Sequence, residues 1–449
     1  MTTRRKTFRA LTVAFFAIPV LVMNPIESVS VFEEKLSLNF QSAKAQQDNK
    51  EPQKTRRAMA ISESVNKRLA KVSELLNPED EKAKPNLSGA LAEAKAINTG
   101  KWNEYEKAQL FNMMGGIYVQ MENYPEAIRY YKRFVETPSV PPANQLNVSY
   151  YLAQLYLATE NYKQAIRLFE DYIKRSEIVG ADHYYKLGQA YYMDGNLNRS
   201  LPNIDKAVQM YESSDRIPPE GLYQYQMSLY HGKENYKKVV TVLEKMVRHY
   251  PKVNHWRTLA AMYGASGRPK DQLHAYDTIY MMGGLNKEKE LRLLASLYLE
   301  NEYPYKAAKV LEKGFKDKVI EPTSKNLELL GVSWSIAKEQ DKSIPVMEQA
   351  ASKSNAGDLY ARLTQMYLGG DEYQKAVNAG SKALKRKLKK PASVHFNMAV
   401  SYFNLNKFDQ ALASLREARK DKTMASQANN WIRLVEGEKA RVEKLKTAA

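Results

Sequence analysis

Aromatic side chains return along this chain at a nearly constant interval, and that interval limits the fold more than any other feature. Starting at Tyr118, equivalents fall at Tyr156, Tyr191, Tyr230, Tyr263, Tyr298, Trp334, Tyr367 and Tyr402, with spacings of 38, 35, 39, 33, 35, 36, 33 and 35 residues. Four residues before each stands an apolar side chain (Met114, Leu152, Leu187, Leu259, Leu294, Leu330, Leu363 and Met398), with Gln226 as the exception. Three before come Gly115, Ala153, Gly188, Met227, Ala260, Ala295, Gly331, Thr364 and Ala399. Nine after lies a small residue (Ala127, Ala165, Ser200, Ala307, Ser343, Ala376 and Ala411), except at Val239 and Gln272.

Offsets of three, four and seven put large and small side chains on one stripe of an α-helix. Turn chemistry follows each aromatic within about five residues, as in "MENYP", "TENYK", "DGNLN", "KENYK", "SGRPK" and "GDEYQ". Each repeat therefore reads as two antiparallel helices that approach closely at the small residue, with the aromatic filling the angle between them. Such a hairpin exposes too much apolar surface to stand alone and must stack on its neighbours. The fold class expected is all-α: a superhelical stack of helix-turn-helix repeats.

The pattern resembles the tetratricopeptide repeat, most clearly in Trp256-Leu259-Ala260-Tyr263 and Leu291-Leu294-Ala295-Tyr298-Ala307, with Pro251 at the place where that repeat often ends on proline. The resemblance covers residues 108–425 as about nine repeats and implies a right-handed superhelical solenoid used for docking peptides and proteins. The fourth repeat lacks two of its small residues, the fifth has Gln272 where Ala is usual, and the seventh has Trp334 for Tyr. Residues 46–107 read as a polar leader followed by a divergent helical cap, with helices over 56–75 and from Leu87 to Ile97. Residues 426–449 read as a closing helix and tail, with Ile432 and Leu434 among its apolar contacts.

The first residues have a separate logic. Arg4, Arg5, Lys6 and Arg9 precede an apolar run from Ala10 to Met23, the basic and apolar parts of an export signal. Fourteen helical residues rise about 21 Å, short of a roughly 30 Å hydrocarbon core. Ala43-Lys44-Ala45 offers a small-residue cleavage site that would make residues 1–45 a signal peptide, although a retained segment would tether the chain to a membrane. Complete absence of cysteine excludes disulfides, thiolate metal sites and a Cys nucleophile, and suits an oxidising compartment. The expected location is the periplasm.

The resemblance puts the first helix of each repeat on the inner face of the solenoid. Its inward positions are Asn112, Gln120, Asn147, Tyr150, Gln154, Asp182, Tyr185, Gln189, Tyr192 and Gln224 in the early repeats, then Arg257, Lys289 and Arg292. Tyr offers apolar area with a hydroxyl, and Asn and Gln both donate and accept, which suits an extended peptide main chain and also a glycan. For Tyr150, Tyr185 and Tyr192 packing between repeats is the competing account. For Arg257 and Arg292 the competing account is internal salt bridging rather than capture of a ligand carboxylate. Members of the family that clamp a free C-terminal carboxylate use Lys and Asn where this chain has Asn112/Gly116 and Tyr150/Gln154, so that clamp is not expected.

No catalytic, cofactor or metal site is read from the sequence. The six histidines, His183, His231, His249, His255, His274 and His395, form no compact ligand spacing. No phosphate-binding loop or nucleophile turn occurs. The net charge of +18 favours anionic partners, yet the basic residues are dispersed apart from "LKRKLKK" at 384–390. Nucleic acid is not expected.

The expected function is a noncatalytic scaffold for a protein or extended peptide. A cell-wall glycan, or the machinery that assembles it, is the alternative partner, and peripheral membrane association would follow from a retained N-terminus. The layout of an export segment followed by nine repeats also resembles envelope repeat proteins found with the TonB energy-transduction machinery. That resemblance implies a TonB-system partner and support of transport across the outer membrane.

Overall fold

The computed structural model describes residues 60–78 and 84–448. The export segment expected over 1–45 and the leader that follows it to residue 59 lie outside the described residues. Regular structure among the described residues is helical, with one isolated bridge between Ala356 and Lys387 and no sheet.

Two compact units divide the chain between Leu229 and Tyr230. The N-terminal unit holds α1 (Glu63–Leu76), α2 (Leu87–Ala96), α3 (Glu104–Gln120), α4 (Tyr124–Val135), α5 (Pro142–Ala158), α6 (Tyr162–Arg175), α7 (Ala181–Met193), α8 (Leu197–Ser213) and most of α9 (Glu220–Gly232). The C-terminal unit holds α10 (Tyr236–His249), α11 (Val253–Ala265), α12 (Pro269–Met281), α13 (Glu288–Glu300), α14 (Pro304–Lys316) and α15 (Ser324–Ile336). It continues through α16 (Gln340–Ser352), α17 (Asp358–Gly369), α18 (Tyr373–Leu384), α19 (Pro391–Asn404), α20 (Phe408–Arg419) and α21 (Ala425–Ala448). In chain order these are ten helix pairs and a terminal helix; each unit is a stack of helix-turn-helix repeats, and the nine marked aromatics sit in the last nine pairs.

One turn closes all nine. The carbonyl of the repeating aromatic accepts the amide of the residue five places on at 2.8–3.0 Å, from Asn123 N–H to Tyr118 through Lys407 N–H to Tyr402. The residue four places on takes positive φ in every case: Glu122, Glu160, Gly195, Glu234, Gly267, Glu302, Lys338, Asp371 and Asn406, between 54° and 80°. This left-handed closure satisfies the last carbonyls of the first helix. Asn at the next position then starts the second helix in four repeats, and Asn123, Asn196 and Asn235 accept from Glu126, Arg199 and Lys238 N–H at 3.4, 3.2 and 3.2 Å.

The small residue nine after the aromatic sits where the two helices touch. Ala127, Ala165, Ser200, Ala307, Ser343, Ala376 and Ala411 are all 0% exposed. A β-carbon on Gly188 would lie 2.7 Å from Ile204 Cδ1, so the approach leaves no room there. Where the small residue is Ser, it faces Gly across the pair: Ser200 Oγ donates to Gly188 O at 2.8 Å, and Ser343 Oγ to Gly331 O at 2.7 Å. The departure at Gln272 has a local compensation, because its amide occupies the space in front of Gly264, whose added β-carbon would lie 2.4 Å from Gln272 Nε2.

The tyrosine hydroxyls bind successive repeats together, a role that the spacing does not announce. Tyr191, Tyr263, Tyr298 and Tyr367 donate to Glu170, Glu244, Asp277 and Glu348 on the second helix of the preceding pair, Tyr263 at 2.9 Å. A cation from their own pair covers each ring: Arg199, Arg268, Lys306 and Lys375 stand 5.7, 4.4, 5.6 and 5.6 Å from the centroids. Arg199 and Arg268 also approach Glu170 and Glu244, at 3.7 and 3.5 Å. Each set thus joins three consecutive helices. In the seventh repeat Trp334 has no hydroxyl to donate; Lys342 of its own pair covers its ring at 4.7 Å, as in the other four, and Lys309 of the preceding pair stands 5.9 Å from it.

Helix α21 packs against α20 through Ala428, Trp431, Ile432, Val435 and Val442, at helical spacing. Leu434, expected among these contacts, is 51% exposed. It lies about 100° around the helix from Val435 and falls outside the stripe.

Two outcomes are expected. At the left-handed turn position Lys338→Gly raises stability by up to about 1 kcal/mol and Gly267→Ala lowers it by a similar amount, read as opposite shifts of the urea midpoint. Burial, followed by the hydrogen bond to Glu244, pushes the Tyr263 phenol up to about 12. Its unfolded value is near 10, so its contribution is intact below pH ~10 and is lost as pH rises through the folded value. Tyr263→Phe therefore destabilises by about 1 kcal/mol at pH 7 and flattens the alkaline loss of stability, measured by urea titration from neutral to alkaline pH. A variant with the parent's alkaline slope would remove the hydroxyl from this role.

Candidate functional site

In the N-terminal unit the first helices α3, α5, α7 and α9 carry the face predicted to bind. Asn112 and Gln154 are half-buried, and Gln120 and Asn147 are exposed. Asp182 is exposed and accepts the Tyr211 hydroxyl. Gln224 Nε2 reaches Glu220 Oε1 at 3.4 Å.

Tyr150 is placed by packing. Its ring lies 5.4 Å from Phe169, 4.8 Å from Tyr172 and 5.0 Å from His183, and burial raises its phenol well above the ordinary range. His183 stacks on Tyr172 at 4.8 Å while its Nδ1 accepts the Gly180 N–H at 2.9 Å. Burial lowers its pKa, so the imidazole is held neutral as an acceptor. These rings join α5, α6 and α7.

Tyr185, Gln189 and Tyr192 converge on a residue that the inward positions omit, Tyr225 of α9. Its ring is 6.1 Å from Tyr185 and 5.0 Å from Tyr192, both edge-on, and its hydroxyl accepts from Gln189 Nε2 at 3.2 Å. Tyr225 is buried, and burial raises its phenol pKa. Gln189 Oε1 is buried without a donor. The cluster therefore presents half-buried aromatic edges beside an unused amide acceptor, with the Lys186 ammonium 5.6 Å from the centre of the Tyr185 ring. Sequence reasoning missed Tyr225 because it sits five residues before Tyr230, outside the inward positions; its only signal was one more Tyr on a Tyr-rich helix.

The C-terminal unit differs. Arg257 donates to Gly284 O and pairs with Glu290 at 3.1 Å. Arg292 pairs with Glu288 at 3.6 Å, and Glu288 also accepts from Asn326 Nδ2 at 3.0 Å and Glu321 N–H at 3.2 Å. Those contacts, Asn326 first, hold the Glu288 carboxyl below its usual range. The guanidinium groups thus join α11 to α13 and brace α13, whose Glu288 reaches α15. Lys289 is exposed. At the later inward positions stand half-buried Leu299, Val332, Leu368, Val400 and Phe403 and the exposed Ile336, an apolar strip rather than an amide-rich one.

An open cleft of about 560 Å³ between α6, α7 and α8 is lined by Glu170, Tyr191 and Arg199, among others, whose polar groups are engaged with one another. Among the described residues no cluster of three or more His, Asp or Glu has metal-binding geometry, and no helix is long and apolar enough to cross a membrane.

Tetratricopeptide-repeat models match residues 112–177, 150–215 and 393–421. Those segments of the chain are tetratricopeptide repeats. No curated protein matches it. Among solved structures, MamA from Desulfovibrio magneticus is similar at 19% identity over 42% of this chain and 94% of its own, with a TM-score of 0.33. YrrB, described as a tetratricopeptide-repeat protein with an unusual peptide-binding site, is 16% identical over 41% of this chain and 88% of its own, with a TM-score of 0.32. A repeat protein from Parabacteroides merdae is 13% identical over 58% of this chain and 98% of its own, with a TM-score of 0.33.

Tyr150→Ala in this repeat protein removes a ring from the α5–α6–α7 packing and costs about 3 kcal/mol, whereas Tyr192→Ala costs much less. Urea unfolding of both variants tests this, and equal losses would place Tyr192 in the core as well.

Proposed function

We propose that this repeat protein is a noncatalytic scaffold that docks an extended polypeptide against the α5–α7–α9 face of its N-terminal unit. The observation that carries the reading is the Tyr185–Gln189–Tyr192–Tyr225 cluster, with its buried and unpaired Gln189 Oε1. An unmet buried acceptor costs free energy until a donor arrives, and a peptide N–H is such a donor. The edge-on tyrosines supply area for the side chains on either side.

The site of action we propose is the periplasm, supported by the basic and apolar composition of residues 1–23. Support of TonB-dependent outer-membrane transport is the specific form of scaffold to which the layout is similar. Aromatic edges beside amides also suit a sugar ring, which keeps cell-wall glycan as the alternative ligand.

A photo-crosslinking residue at position 192 of the full chain, in its native cell, is expected to trap a polypeptide. Binding of that polypeptide should fall at least tenfold in Gln189→Leu, with helicity unchanged. Trapping of glycan alone would transfer the site to the alternative. Recovery of neither, or undiminished binding by Gln189→Leu, would end the reading.

A further inference from the structure

The charge of the chain is not evenly divided. Residues 230–449 hold 39 basic and 24 acidic side chains, a net +15, whereas residues 1–229 hold 29 and 26. Within the C-terminal unit the densest run is the connection between α18 and α19, residues 385–390, which has five cations and no acid.

This connection is built rather than loose. Leu384 and Leu388 are half-buried and pack on the core shared by α16–α19. Arg386 stacks over Tyr360 at 4.5 Å and donates to Lys382 O at 3.1 Å. Lys387 O accepts the Gly357 N–H at 2.9 Å, fastening the connection to the one before α17. With Leu384, Arg386 and Leu388 turned to these tasks, Lys385, Lys387, Lys389 and Lys390 remain exposed. Among the described residues no carboxylate pairs with their ammonium groups within 4.0 Å; Asp421 is the acid that feels Lys390 from farther off. Lys353, on the preceding connection, is exposed too.

We propose that this lysine edge is a docking site for anionic phospholipid headgroups, by which the C-terminal unit associates with a negatively charged bilayer surface. Three properties select that occupant. Exposed lysine without an aromatic or arginine anchor is the composition that protein interfaces avoid at their centre. The one arginine covers Tyr360, and Tyr360 is itself 9% exposed, so no free aromatic platform for stacking bases is offered. Flexible ammonium groups projecting from a short connection instead suit a diffuse layer of headgroup charge, where each lysine near the surface adds to the attraction.

Co-sedimentation of the full chain with vesicles of phosphatidylcholine, with and without about one third phosphatidylglycerol, tests this at low salt. Binding is expected only with the anionic lipid. Replacement of Lys385, Lys387, Lys389 and Lys390 by Gln is expected to weaken it at least tenfold. An equal-charge control, Lys237, Lys238, Lys270 and Lys287 to Gln, should weaken it far less. Thermal unfolding confirms that each variant folds, and Lys387→Gln with Lys389→Gln serves if the fourfold variant does not. Equal loss in the control would reduce the effect to net charge. Undiminished binding by the edge variant, or preference for single-stranded RNA or polyglutamate over the vesicles, would overturn the proposal.

Discussion

Most of this molecule depends on two helix backbones coming close enough to touch at one point in each repeat that lies within one unit. The small residue nine places after the aromatic sets that distance, and it has no exposed surface in any of the seven repeats where it is Ala or Ser. Close approach brings the second helix beneath the aromatic, which is then free to reach the preceding pair. The left-handed turn follows from the same demand, since three residues must reverse the chain without moving the contact point. Even Gln272 obeys it: the bulk that enters the fifth repeat is met by Gly264 across the pair.

Much of this was legible as spacing. A period near 35 residues, with fixed offsets for large and small side chains, leaves little but stacked helical hairpins. The turn could be placed but not its left-handed residue, because seven of the nine positions carry Glu, Lys, Asp or Asn rather than Gly. The hydroxyl contacts were hidden for another reason. Tyr298 and Asp277 are 21 residues apart, and Tyr263 and Glu244 19, so the acceptor floats in register while the aromatic does not. Trp334, read as a departure, has Lys309 of the preceding pair for a neighbour where the tyrosines have a carboxylate.

The candidate face was legible only in part, since inward spacing does not separate binding from packing. Tyr150 and Tyr185 occupy the same repeat position, yet Tyr150 stands among Phe169, Tyr172 and His183 while Tyr185 meets the edge of Tyr225. The difference lies in what the next helix supplies. Arg257 and Arg292 make the same point with charge, since acids on α13 engage both guanidinium groups within the chain.

Two modes of attachment with different physics are thereby segregated in one chain. The N-terminal face would hold its ligand mainly through amides, hydroxyls and ring edges, which salt affects less than it affects exposed charges. The lysine edge would act through exposed point charges, which screening weakens within a Debye length of about 8 Å at physiological ionic strength. Neither mode works well in the other's place, because an unpaired acceptor such as Gln189 Oε1 needs a shaped, half-buried surround, and exposed ammonium groups need water around them until a surface arrives. On the proposed readings, ionic strength would release the chain from a surface without releasing its cargo.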